Sequence, residues 1–118
     1  MEIREKDYQG FIAGKEKSFD TIFRQYYKTL VSFSMRYGLE QMEAEDVVIE
    51  VIHHVWQKRK GIPSPVALNG LLYTAVRNRT LNVLRNLKNR ERIINEQLAD
   101  EEEEFCEQVI EEEVERLL

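Results

Sequence analysis

The sequence is short of several things, and each shortage removes a class of protein. It has a single cysteine, Cys106, so no disulfide can form within the chain. No apolar run approaches the roughly 18 residues of a membrane span. The opening segment, MEIREKDYQG, lacks the apolar stretch of a secretory leader, so a cytoplasmic location without membrane insertion is expected. The two histidines, His53 and His54, are adjacent. Neighbours on a helix point about 100° apart and chelate poorly, so no metal site is expected. There is no glycine-rich phosphate loop, and no nucleophile is paired with a base. Carboxylates cluster only in runs such as DEEEE, residues 100–104, where solvated repulsion is the simpler account. Neither an enzyme nor a cofactor is expected.

Strands are missing too. No segment alternates with period two for long enough. The β-branched run VVIEVI comes closest, but its apolar stripe continues to Trp56 at helical spacing. Only two prolines occur, Pro63 and Pro65, and both lie in KGIPSP, the one firm loop signal. With 118 residues the chain is long enough for one domain with a modest core.

What is present is helical. A short helix is expected near residues 4–13, ending at Gly14. A second carries Phe19, Ile22, Phe23, Tyr26, Leu30, Phe33 and Tyr37 at spacings of three and four, with Lys17 or Ser18 before it and Gly38 as its stop. A third runs from about Met42 to Lys60 on the stripe Ala44, Val47, Val48, Val51, Ile52, Val55 and Trp56. Its acidic start and the basic Lys58, Arg59 and Lys60 at its end suit the helix dipole. A fourth starts with Ser64 as N-cap and Pro65 at the first helical position, and runs to about Gln97. Its core stripe is Leu68, Leu72, Ala75, Val76, Val83, Leu84 and Leu87. The expected fold is all-α, a small bundle of about four helices.

Charge is unevenly distributed. Residues 1–95 hold 16 basic and 11 acidic side chains, and residues 96–118 hold 1 and 11. A mildly basic body with a strongly acidic tail fits either a polyanionic partner for the body or a solvated helix face followed by a flexible tail. The boundary falls near residue 97, and 98–118 reads as an acidic linker. Ile110, Val114, Leu117 and Leu118 then return at helical spacing, as the first turns of a further domain cut short. The tail is expected to be a spacer rather than a competitor for the body's ligand.

Three constellations bear on function. On the third helix Asp46, Ile49, Glu50 and His53 share a face beside the core stripe, either the ordinary surface charge of an amphipathic helix or a mixed acidic and apolar strip suited to a basic protein surface. The loop KRKGIPSP, residues 58–65, is basic and stiffened by its prolines; taken alone it reads as a plain helix connector, and beside a basic helix it could form the wall of a small pocket. Within LLYTAVRNRTLNVLRNLKNRER, residues 71–92, there are six Arg or Lys and one Glu. Arg77, Arg85, Lys88 and Arg92 fall on one face, with Asn78 and Tyr73 close by. Cations neutralise phosphates, Asn reads a base edge, and Tyr stacks on an exposed base. A solvated helix would instead carry Glu–Lys pairs, which are nearly absent before Glu91.

The order and spacing of FDTIFRQYYKTLVSFSMRYG, AEDVVIEVIHHVW and LLYTAVRNRTLNVLR resemble region 2 of the sigma-70 family, in particular the extracytoplasmic-function (ECF) sigma factors of bacteria. The resemblance covers about residues 10–92 and implies no bond chemistry. It implies that the second and third helices bind the β′ clamp helices of core RNA polymerase through Asp46, Ile49, Glu50 and His53. It also implies that the loop and last helix capture the non-template single strand of the melted promoter −10 element, with one base flipped into a pocket. The residues implicated are Lys60, Gly61, Ile62, Ser64, Tyr73, Arg77, Asn78, Arg79, Arg85 and Lys88. An anti-sigma factor is a further implied partner. Two positions depart from the family pattern. Ile49 stands where Gln is usual, and Leu71 where an aromatic is frequent. The family's second DNA-binding domain does not follow, so the resemblance implies a truncation before region 4. The rival reading is a helical interaction module whose basic helix binds an acidic protein and never touches DNA.

Overall fold

The computed structural model describes residues 2–90. Four helices follow in order, α1 Glu5–Ile12, α2 Glu16–Met35, α3 Gln41–Gln57 and α4 Pro65–Arg90. This is the expected all-α bundle, and no strand occurs among the described residues. The expected continuation of α4 to Gln97, and the linker and further domain from residue 98, lie outside the described residues.

The core follows from the apolar periodicity. α3 turns Ala44, Val47, Val48, Val51, Ile52 and Val55 inward, so the β-branched run is buried as helix. α2 contributes Ile22, Tyr26, Leu30 and Val31, and α4 contributes Leu68, Leu71, Leu72, Ala75 and Val76. A fully buried aliphatic side chain contributes about 1.5–3 kcal/mol, so these rows hold α2, α3 and α4 together. Val83, Leu84 and Leu87 are only partly buried against this core. Buried polar contacts fix the register of α2 on α4. Ser34 Oγ and Thr80 Oγ1 are 2.7 Å apart, and the Tyr26 hydroxyl donates to Asn69 Oδ1.

Helix ends depart from expectation in two places. α2 begins at Glu16, with extended Lys15 before it and no side-chain cap. Lys17 and Ser18 therefore sit inside its first turn. α3 begins at Gln41 and ends at Gln57, three residues before Lys60. Arg59 leaves the helix but still meets its carboxyl end, donating from Nη1 to the Trp56 carbonyl at 3.0 Å. The start of α4 is as expected, with Ser64 Oγ accepting the Ala67 N–H at 3.1 Å. Gly38 ends the turn after α2 with φ 113°, a left-handed conformation that side chains resist.

α1 braces the site region. It crosses α2 so closely that a Cβ on Gly10 would lie 1.8 Å from Ser18 Oγ. Its Phe11 meets Trp56 edge to face at 5.0 Å, and the Tyr8 hydroxyl donates to the Ile62 carbonyl. Arg59 Nε donates to the Ile12 carbonyl at 3.2 Å. The short N-terminal helix thus anchors the loop between α3 and α4.

Candidate nucleic-acid and partner interface

The outer face of α3 carries the expected strip. Burial of the six inward residues leaves Asp46, Ile49 and His53 exposed and Glu50 half-buried. Ile49 is 39% exposed, an aliphatic group standing between two carboxylates. His53 lies against Phe19 at 5.2 Å between ring centroids, at the border of an aromatic cluster with Trp56, itself 4.9 Å from Phe19. On the α2 side Tyr27 donates to Glu45 Oε2 at 2.9 Å. That hydrogen bond, with burial and the Glu45 and Asp46 charges, raises the Tyr27 pKa.

Glu50 does not project alone. Its Oε2 accepts from Arg79 Nε at 3.2 Å, and the Arg79 side chain is only 12% exposed. The strip on α3 and the basic helix α4 are therefore joined by an ion pair. Sequence spacing held a partial signal for this. Arg79 is two residues, about 200°, from Arg77 and could not share its face.

The loop presents its residues unequally. Lys60 is exposed and Gly61 half-buried, with φ 97° at Gly61. Ile62 is buried, its carbonyl held by Tyr8, so Ile62 anchors the loop in the core. The Ser64 hydroxyl is engaged as the α4 cap. The Arg59 guanidinium sits 4.7 Å over the Trp56 ring, fixing the loop's first residues. Next to the loop's end a cavity of about 320 Å³ is lined by Glu2, Ile3, Pro65, Val66 and Asn69.

Along α4 the exposed face bears Arg77, Leu81, Arg85 and Lys88. Tyr73 is half-buried, edge-on to Phe33 at 5.1 Å and to Tyr26 at 6.3 Å. Asn78 is half-buried, and its Oδ1 accepts long hydrogen bonds from Arg77 Nη2 and Nε at 3.3 and 3.4 Å. Arg85 Nη2 donates to Asn82 Oδ1 at 2.6 Å. Asn82 is buried with its Nδ2 lacking a partner, and no periodicity marks it. Leu71 is buried in the core, so no aromatic surface stands at that position.

The geometry thus brings Arg77, Arg85 and Lys88 onto one exposed face, with Tyr73 and Asn78 at its borders. It sets Arg79 against α3 and Ile62 inside. A family model described as Sigma-70 region 2 matches residues 22–90, more than half of the 118-residue chain. No curated protein and no solved structure matches. The matched span takes in α2 from Ile22 onward, α3, the connecting loop and α4, hence the α3 strip and the α4 face. With its helical architecture and this match, the chain belongs to the Sigma-70 region 2 family.

Proposed function

We propose that this domain is the core-binding and −10-reading part of an ECF-type sigma factor. Family membership supports a sigma factor role in RNA polymerase binding and −10 recognition in general, by binding rather than bond chemistry. In our reading the α3 strip around Asp46, Ile49 and Glu50 docks on the β′ clamp helices. The loop at Lys60 and Gly61, with the exposed face of α4, takes the non-template strand of the opened −10 element. Tyr73 and Asn78 read bases there, while Arg77, Arg85 and Lys88 neutralise phosphates.

One observation carries this reading. α4 spans 26 residues with five cations and no carboxylate, and it packs directly behind the acidic strip of α3. A merely solvated helix gains from oppositely charged pairs one turn apart, and this one forgoes them. A surface that must approach phosphates excludes acids.

The test is co-purification with core bacterial RNA polymerase, wild type beside an Asp46→Arg, Ile49→Arg double variant. Both changed side chains are exposed, and Glu50 is spared because it holds Arg79. Retention of wild type and loss of the variant is the expected result. Equal retention of both moves the docking face elsewhere. No retention of wild type favours the rival, an acidic protein partner for α4.

A further inference from the structure

The acidic side chains of residues 2–90 avoid two stretches altogether. Residues 21–39 carry Arg24, Lys28 and Arg36 and no carboxylate, and residues 51–90 carry none either. The fold places these stretches side by side, α2 against α4, through the Ser34–Thr80 contact and the Tyr26–Asn69 hydrogen bond. α3 sets Glu45 against Tyr27 and Glu50 against Arg79 on these stretches.

Across this seam runs a row of rings. Tyr73 of α4 meets Phe33 of α2 at 5.1 Å and 84°, and Phe33 meets Tyr37 at 5.5 Å and 80°. Tyr37 is 38% exposed, and Leu81 is 45% exposed on α4. Phe33 approaches Tyr37 nearly at right angles, so it does not cover that ring by parallel stacking. A Cβ on Gly38 would lie 3.8 Å from Leu84 Cδ2, which brings the turn after α2 against α4 one residue before Arg85. Arg36, beside Tyr37, is exposed. Glu40 is the nearest carboxylate in sequence and begins the acidic segment that leads into α3.

We propose that single-stranded DNA continues past α4 onto this seam, where Tyr37 stacks on an unpaired base and Arg36 neutralises the adjoining phosphate. The inference rests on the DNA reading of α4 above and extends it to a helix that reading does not use. An exposed ring beside an exposed cation suits a strand whose bases offer ring faces and whose backbone offers phosphates. Ring contacts run from Tyr73 through Phe33 to Tyr37, which ties Tyr37 to α4.

The experiment is fluorescence anisotropy of the full chain with a labelled oligothymidylate of about 20 nucleotides, titrated at several salt concentrations. Tyr37→Leu is expected to weaken binding about fivefold or more, and Tyr37→Phe to bind as wild type. Arg36→Glu is expected to flatten the log–log salt slope by roughly one. Circular dichroism checks that these surface variants keep their helices. Wild-type binding by both Tyr37→Leu and Arg36→Glu, with Arg85→Glu impaired, overturns the seam and leaves the α4 reading standing. Failure of wild type to bind, or Arg85→Glu binding as wild type, overturns the α4 reading and the seam with it.

Discussion

Arg79 and Glu50 lie 29 residues apart in the chain and 3.2 Å apart in space, one in each of the two proposed contact regions. The pair sits at the α3–α4 packing boundary, with Glu50 more open than Arg79. Arg79 also makes a further interaction besides this one. A double-mutant cycle with Glu50→Ala and Arg79→Ala, read by urea denaturation, is expected to return a coupling of about 1 kcal/mol. Additive single losses would mean that the pair adds nothing beyond packing. The same contact governs the choice of docking variants, because reversing Glu50 would place two cations together inside the domain.

Ile49 is the least costly place to disturb the proposed docking strip. Its exposure means that Ile49→Arg removes little buried surface, and stability is expected to move by less than about 0.5 kcal/mol. Affinity for core polymerase is expected to fall at least tenfold, from lost apolar contact and from repulsion of a basic partner. Ile49→Gln, which adds hydrogen-bonding capacity without charge, is expected to bind at least as well as wild type. Competition binding against a labelled sigma factor measures both, and unchanged affinity for Ile49→Arg would remove this residue from the interface.

Asn78 and Arg85 are assigned different work on α4. Arg85→Glu is expected to weaken single-strand binding on every sequence and to flatten its salt dependence. Asn78→Ala is expected to relax sequence preference, with roughly 1–3 kcal/mol of discrimination lost at one base. The arrangement fits this division. Arg85 stands exposed on an Asn82 support, whereas Asn78 is half-buried beside Arg77. A panel of −10-like oligonucleotides measures both. Equal losses by both variants on all sequences would contradict the split.

Alkaline stability reports on the buried tyrosines. Burial first, then the neighbouring Tyr73, pushes the Tyr26 hydroxyl up to about 12 from its ordinary value near 10. Burial and Glu5 raise Tyr8 as well. A phenol whose folded pKa lies above its unfolded value favours folding while protonated, and that advantage is lost as pH rises. Stability is therefore expected to fall between about pH 10 and 12, and less steeply in Tyr26→Phe. Tyr26→Phe also gives up the hydrogen bond to Asn69, at a cost near 1 kcal/mol at neutral pH. Parallel pH profiles for wild type and variant would show that Tyr26 is not the group responsible.

The sequence by itself determined the all-α class, the stripes of α3 and α4 and that of α2 as far as Phe33, the Ser64–Pro65 start of α4 and the shared face of Arg77, Arg85 and Lys88. All of these depend on local periodicity and capping, which the order of residues encodes directly. Tyr37, expected on the α2 stripe, lies beyond that helix and is exposed. The expected caps Lys17 and Ser18 failed because no side-chain cap is used there and the helix starts after Lys15, which lies two residues before Lys17. Only the tertiary structure decided that Ile62 and Leu71 point into the core and that Asn82 is buried. It alone paired Arg79 with Glu50 and aligned Tyr73, Phe33 and Tyr37 across two helices. Those facts depend on which faces of separate helices meet. Helix packing sets that through contacts between residues tens of positions apart, which leave no repeating mark along the chain.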